Sequence, residues 1–569
     1  MISYNSPDYM VERFLNFIHR EWQGLHEVAI LLAASALVSQ LLGLWRDRVL
    51  AGRFGAGHEL DIYYAAFRIP DLLYVSLASF VSVTVVLPFI LGPLARGDRA
   101  TAERLLGGLL TSFLVVSSIF VGLIFFLLPF FQPLIAPGFD GDAAIQLTTL
   151  ARILLLSPIL LGLSNLFANV TQAYRQFFVY ALSPIFYNLG IIIGIEFFEP
   201  KLGLSGLALG VALGAFLHLA IQIPTIIRSR FRIRWPTRSI WREVKQVIII
   251  SLPRTLTLST NQLTLMILVA VGSLMSVGSI AVFTFAFNLQ SVPLAIIGVS
   301  YSAAAFPTLV RHHTNGDRDK FIEQITRAAR HILFWSLPAT ALFIVLRAQV
   351  VRVILGSGHF DWGDTRLTAA SLAIFIFSLV AQSLVLLFVR GYYASGKTRT
   401  PLLINVGAAG LTIVLAFVIR VLFRTFPIID QAFAQLFRVS AVTGVEILAL
   451  PLAFAFGSLV SLGAFWYCFE RDFGRFSIAV RRSVVEIVTT SFIVALVAYA
   501  GLQLFARSFD LDTFWGIFGQ GFLAGIVALI VGGVILHLSK NHELAELQRA
   551  LRQKFWRQVG VVLPEASEL

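Results

Sequence analysis

The sequence is short of charge. Only 13% of its 569 residues are Asp, Glu, Lys or Arg, against about 25% in a soluble globular chain, which excludes a string of water-soluble domains. It has one cysteine, Cys468, so an intramolecular disulfide and a cysteine-rich zinc site are excluded. It has no Walker A loop, HExxH or GxSxG in a suitable setting. Nothing marks an enzyme, a cofactor or a metal centre. With no nucleotide-binding domain, transport would have to draw on ion gradients, membrane potential or substrate consumption. Residues 1–27 contain acids and lack a short apolar core ending at a small-residue cleavage site, so they are not read as a signal peptide.

What is there is apolar. Hydrophobic residues make up 57% of the chain and the mean hydropathy is +0.82. This is the composition of an all-α polytopic membrane protein. A spanning helix needs about 20 mostly apolar residues. Candidate spans lie at 28–50, 62–94, 104–134, 145–172, 178–198, 203–227, 244–275, 278–310, 328–355, 366–394, 400–424, 441–468, 483–506 and 513–538, about fourteen. The least certain stretch is 428–440, where Asp430 and Arg438 interrupt an apolar run.

The formal net charge of +13 does not point to nucleic acid, because the basic residues sit in short loops between apolar runs. That pattern fits contact with anionic membrane lipids and a fixed topology. Arg228, Arg230, Arg232, Arg234, Arg238, Arg242 and Lys245 follow span 6; Arg311, Arg318 and Lys320 follow span 8; Arg471, Arg475, Arg481 and Arg482 follow span 12. Even-numbered loops are therefore read as cytoplasmic, with both termini inside. Arg46, Arg48 and Arg53 after span 1, and Arg420 and Arg424 after span 11, break the pattern and need another explanation. The termini read as amphipathic. Val11, Phe14, Leu15, Ile18, Trp22 and Leu25 share helical spacing, as do Leu544, Leu547, Leu551 and Phe555 beside Arg549, Arg552, Lys554 and Arg557. Each set suits either a membrane surface or packing against the bundle.

The halves repeat. Pro88 answers Pro307, Gly97-Asp98-Arg99 answers Gly316-Asp317-Arg318, and Tyr174 answers Tyr393; Pro-Gly-Phe-Asp at 137–140 resembles Gly-His-Phe-Asp at 358–361. Six spans per copy is an even number, so the copies keep one orientation, as parallel transporter repeats do. The expected organisation is an interfacial segment 1–27, an N-lobe 28–227 (helices 1–6) and a basic cytoplasmic linker 228–243. A C-lobe 244–470 (helices 7–12), helices 13–14 at 483–538 and a basic amphipathic tail 539–569 follow. Two lobes about a midline cavity suit alternating access.

Ionisable residues inside spans are costly and are therefore the functional candidates. Arg46 and Asp47 end span 1. Asp61, Tyr64, Arg68 and Asp71 recur at helical spacing at the start of span 2, where Pro70 is expected to kink the helix. They suit a polar cavity wall or a salt-bridge cluster. Arg254 lies about ten residues into span 7, before a polar run that includes Gln262. A guanidinium among hydroxyls and amides suits bidentate phosphate binding; pairing with an acid of the other lobe is the alternative. Asn288 and Gln290 in span 8 are further candidates. Arg152 and Glu446 read as within-lobe partners or path-lining groups, and His359 as a surface residue.

These residues resemble the MurJ/MviN family of lipid II flippases. The resemblance is carried by GLWRDRVLAGRFGAGHELDIYYAAFRIPDLLY at 43–74, with APGFD at 136–140, PLAIIGVSYSAAAFPTL at 293–309, GSGHFDWGDTRLTAASL at 356–372 and RGYYASGKTRTPLLI at 390–404. It implies the multidrug/oligosaccharidyl-lipid/polysaccharide exporter fold: two six-helix lobes around a cationic cavity, and two C-terminal helices forming a lipid-tail groove. It implies movement of lipid II, an undecaprenyl-diphosphate-linked disaccharide-pentapeptide, from the inner to the outer leaflet of the bacterial cytoplasmic membrane, for peptidoglycan and cell-wall biogenesis. Arg46, Asp47 and Asp61 match family positions at the cavity. The chain departs from the pattern at Gln40, Tyr74 and Asn288, where the family often has arginine, and at Ser291, where it often has glutamate. Flipping of another polyprenyl-linked glycan, a non-transporting scaffold that recruits envelope-synthesis proteins, and a cation-coupled drug antiporter remain alternatives.

Overall fold

The computed structural model describes all residues except 1–24, 79–82, 232–233, 238–239, 441, 475 and 556–569, with the side chains of 25–27, 29–30, 78, 83–85, 250, 253–254 and 550–555 also outside the description. The amphipathic run Val11–Trp22 therefore lies outside the described residues. Among those described there are helices and turns but no strands. Among the described residues eleven helices are long and apolar enough to cross a membrane, or twelve if the bent pair Trp362–Phe377 and Leu379–Ala394 is one span. These twelve fall on expected spans 3–14. Span 1 falls on the helix Leu25–Phe54, and span 2 on a run broken into His58–Ala66, Arg68–Ala78 and Val83–Ala95. None of these four meets that measure, so the count of fourteen is not reached by it.

The expected kink of span 2 is instead a break at Phe67, and Pro70 sits in the first turn of the restarted helix. A proline there costs little, since first-turn N–H groups have no helical acceptor. The stretch 428–440 resolves into the helix Pro427–Phe437. At 1.5 Å per residue its 11 residues reach roughly half of the hydrocarbon thickness, about 30 Å.

The repeat is visible in local backbone. Gly97 (φ 77°) and Gly316 (φ 74°) take the left-handed conformation that L-residues avoid, and Asp98 and Asp317 then stand at the N-caps of spans 3 and 9. Thr101 donates its backbone N–H to Asp98 Oδ1 at 3.1 Å, and hydrogen bonding from Thr101 holds the Asp98 carboxyl below its ordinary range.

The chain packs as two compact units. The first holds the described residues up to Leu289 with Ile354–Phe375 and Thr398–Gly457. Its core joins Leu77 of span 2, Leu105, Leu106 and Leu109 of span 3, Leu166 and Val170 of span 4, and Val244 and Val247 of span 7. Spans 5 and 6 meet through small residues. A Cβ on Gly190 would overlap Gly214, and one on Gly194 would overlap Gly210. This four-residue spacing lets two backbones approach where lipid supplies no hydrophobic drive. The basic linker is pinned: buried Glu103 accepts from Arg99 Nε at 2.9 Å and from Arg234 Nε at 2.7 Å.

The second unit holds Gln290–Val353, Ile376–Lys397 and the described residues from Ser458 onward. Span 13 packs on spans 9 and 14, with Val494, Ala498 and Ala528 against Leu342 and Val345. The C-terminal helix His542–Phe555 packs against the bundle at its start. Ser483 Oγ donates to buried Glu543 at 2.7 Å, Asn541 Nδ2 donates to Glu486 at 3.1 Å, and His331 Nε2 meets Glu546 at 2.9 Å.

Candidate functional site

Two polar constructions lie within the first unit. One stitches together the loops after spans 1, 3, 7, 9 and 11. Asp61 Oδ2 accepts the Gly278 N–H at 2.6 Å, and its Oδ1 accepts the Ala281 N–H at 2.8 Å. Asp364 Oδ2 accepts the Ala56 N–H at 3.0 Å, the His359 N–H donates to the Gly52 carbonyl at 2.8 Å, and the Gly138 N–H donates to Ser273 Oγ at 3.1 Å. Glu446 Oε1 accepts the Ser276 N–H at 3.1 Å. Glycine makes the approach possible: a Cβ on Gly138, Gly278 or Gly358 would overlap the backbone carbonyl of Ser273, Ala56 or Gly52 respectively.

This stitching accounts for the arginines that break the loop-charge pattern. Arg420 donates to the Leu274 carbonyl at 3.0 Å, and Arg48 to the Ile354 carbonyl at 3.2 Å. Both carbonyls lie at helix C-terminal ends, where a cation is favourable. Arg424 pairs with Glu446 at 3.3 Å, Arg53 pairs with Glu199, and Arg46 pairs with Asp47. Each charge is held by a local partner. His359 is exposed, and Arg152 turns onto the Phe125 carbonyl at 3.2 Å.

The second construction is a polar chain through spans 8, 1 and 5. Asn288 Nδ2 donates to Asp47 Oδ2 at 3.0 Å. Arg46 donates to Asp47 Oδ1 through Nε at 3.0 Å and Nη2 at 2.7 Å, and through Nη1 to Asn188 Oδ1 at 3.2 Å. Asn188 Nδ2 donates to the Pro184 carbonyl at 3.1 Å. The Asp47 side chain is 3% exposed and that of Arg46 23%, so the charge is paired and still reachable. Asn288, where the resemblance implies a guanidinium, thus hands its amide to Asp47.

Arg68 is half-buried and donates to the Tyr64 carbonyl at 3.2 Å. Asp71 lines a small cavity with Phe67, Pro70, Tyr74, Ser157 and Tyr187. The expected face of Asp61, Tyr64, Arg68 and Asp71 is therefore divided by the break at Phe67: Asp61 belongs to the loop stitching, and Asp71 to a cavity inside the lobe. Gln262 is half-buried on span 7, and Gln290 lies in the second unit facing Gln382. Arg254 is on the helix Ile240–Gly272, with its side chain outside the description. Sequence reasoning missed Asn188, Tyr187 and Ser157. The available clue was an amide or hydroxyl inside an apolar span.

A bundle of long apolar helices with an internal repeat, carrying charges paired within it, defines a multi-pass membrane protein of the transporter class. The family model described as "Lipid II flippase MurJ" matches residues 50–518, and the chain belongs to that family. It is 28% identical over 381 residues to the probable lipid II flippase MurJ of Buchnera aphidicola subsp. Acyrthosiphon pisum, covering 66% of this chain and 74% of that protein. It is 24% identical over 402 residues to the lipid II flippase MurJ of Burkholderia cenocepacia, covering 68% and 77%. A solved lipid II flippase MurJ in an inward closed conformation superimposes with a TM-score of 0.69 at 20% identity, covering 89% of this chain and 99% of that one. An inward-facing multidrug resistance transporter of the MATE family superimposes at 0.63, with 15% identity and coverage of 80% and 99%. The two structures share the fold.

Proposed function

We propose that this chain flips lipid II, carrying its diphosphate-linked sugar-peptide head from the inner to the outer leaflet of the cytoplasmic membrane for peptidoglycan assembly. Family membership across most of the chain carries the reading. The polar chain Asn288–Asp47–Arg46–Asn188 supports it: a guanidinium that is paired, buried on one side and reachable on the other can exchange a carboxylate for a diphosphate. In this reading Arg46, Arg68 and Arg254 receive the diphosphate, and Gln262 and Asn288 meet the sugar-peptide head. Asp47 holds Arg46 between cargoes, and Asp61 keeps the odd-numbered loops closed. Those loops face outward and both termini face the cytoplasm, as the basic even-numbered loops require. The prenyl tail stays in lipid beside spans 13 and 14, and anionic lipid meets the basic loops.

The test is replacement of a bacterium's resident lipid II flippase by this chain, followed by measurement of labelled lipid II on the outer face. Restored exposure is expected. Loss of exposure with folded, membrane-inserted protein would shift the cargo to another polyprenyl-linked glycan.

A further inference from the structure

Three aspartates stand in or beside spans 1 and 2, and their surroundings differ in kind. Asp47 is met by Arg46 and the Asn288 amide, and Asp61 by the backbone N–H groups of Gly278 and Ala281. The guanidinium and the two backbone N–H groups can only donate, and the Asn288 amide turns its N–H to Asp47, so both carboxylates are met by donors. Asp71 is the exception. Its cavity is lined by the hydroxyl-bearing residues Tyr74, Ser157 and Tyr187, and hydroxyls both donate and accept. Such a lining serves a carboxylate and a carboxylic acid equally well.

The cavity is built rather than incidental. It holds about 20 Å³ of free space, room for one water-sized occupant. Ser157 is 6% exposed, and its hydroxyl has no hydrogen-bond partner among the described residues. Pro70 and Pro158 both line the cavity. Pro158 has no N–H to give to the carbonyl of Leu154, which is also in the lining. The helix break at Leu155 and the break at Phe67 flank the site. The charged and titratable groups near Asp71 come from several elements. Arg68 and Tyr74 lie on its own helix, Tyr187 comes from span 5 and Tyr63 from the helix before the break. Span 4 contributes Ser157, and Arg152 on the preceding helix is turned to Phe125. Span 7, packed on the same helix, carries Arg254, whose side chain is outside the description.

We propose that Asp71 is a proton-binding site whose loading is linked to anion binding at the neighbouring Arg68. A metal cation suits the cavity poorly, with one anionic oxygen donor in its lining, a guanidinium one helical turn away at Arg68 and space for one small occupant. A proton needs none of the five or six oxygens a metal would. Ionised Asp71 competes with a diphosphate for Arg68; protonated Asp71 releases that charge to the cargo. The proton comes from and returns to water, and no other bond changes. An intramembrane carboxyl that changes charge between states is a common energy-coupling device. The linkage to cargo rests on the flippase reading, whereas the proton site does not.

Two measurements separate them. Infrared difference spectra of purified protein without lipid, taken between acid and alkaline pH, should show a protonated-carboxyl band that Asp71→Asn removes and Asp71→Glu keeps at a shifted position. Binding of undecaprenyl diphosphate should weaken about tenfold from acid to alkaline pH in the wild type, a coupling of ordinary size for linked sites, and by less than about twofold in Asp71→Asn. If the band is unchanged in Asp71→Asn, the proton site is overturned. If the wild type binds with the same affinity at both pH values, the linkage is overturned. If the band titrates as expected but no diphosphate binds at any pH, the proton site stands and the cargo reading falls.

Discussion

Asp61 and Gly278 lie 217 residues apart, in different copies of the repeat, and are joined by a 2.6 Å hydrogen bond from the glycine N–H to the aspartate carboxylate. With the second bond from Ala281, one carboxylate satisfies two of the orphan donors that open span 8. Charged hydrogen bonds of this kind contribute about 1.5–3 kcal/mol each. Asp61→Ala should therefore raise hydrogen exchange at residues 276–281 by at least tenfold without unfolding the bundle. Unchanged protection there would show that the carboxylate does not hold the loop.

Glycine at the same junction should be separable from backbone strain. Gly358 (φ 52°) and Gly396 (φ 73°) both take the left-handed conformation, so alanine costs each about 1–2 kcal/mol. Only Gly358 meets a backbone, at Gly52; nothing lies near Gly396. Gly358→Ala should open the odd-numbered loops to a thiol reagent at an introduced Ala56→Cys, in a Cys468→Ser background, whereas Gly396→Ala should not. Equal labelling of the two variants would mean that strain, not close approach, governs the junction.

Much of this was legible in the sequence. Apolar runs mark spans 3–14, because a helix in hydrocarbon must be apolar along its whole length. The Gly-Asp-Arg turns mark the repeat, because a left-handed residue followed by a cap needs those types. The break at Phe67 was not legible. Pro70 reads as a mid-helix kink, and packing decides that the helix restarts at Arg68. The partner of Asp61 was hidden for a different reason: a backbone N–H leaves no side-chain signature. Asn188 was hidden because a single amide in an apolar span resembles any tolerated polar residue, until Arg46 is seen to reach it.

The glycine contact of spans 5 and 6 predicts a sharp contrast in stability. Gly210→Leu places a branched side chain into the backbone of Gly194, and overpacking of this kind costs roughly 1–3 kcal/mol or more. Gly122→Leu on span 3 meets nothing within 4 Å and should be neutral. Thermal denaturation in detergent compares them, and a Gly210→Leu midpoint equal to that of Gly122→Leu would show that the two helices separate without cost.

Asn288 offers the most direct test of how an amide serves where the resemblance implies an arginine. It donates to Asp47 at 3.0 Å, and Asp47 is nearly enclosed, so an oxygen acceptor in its place sets two carboxylates against each other. Asn288→Asp should abolish lipid II exposure in the replacement assay, and Asn288→Ala should lower it several-fold, about the 1 kcal/mol of a lost hydrogen bond. Asn288→Arg should retain it, because a guanidinium at this position can pair with Asp47 as the amide does and adds a cation on the path of a diphosphate. Full activity of Asn288→Asp would mean that the Asn288–Asp47 contact plays no part in transport, and that Asp47 and Asn188 suffice to position Arg46.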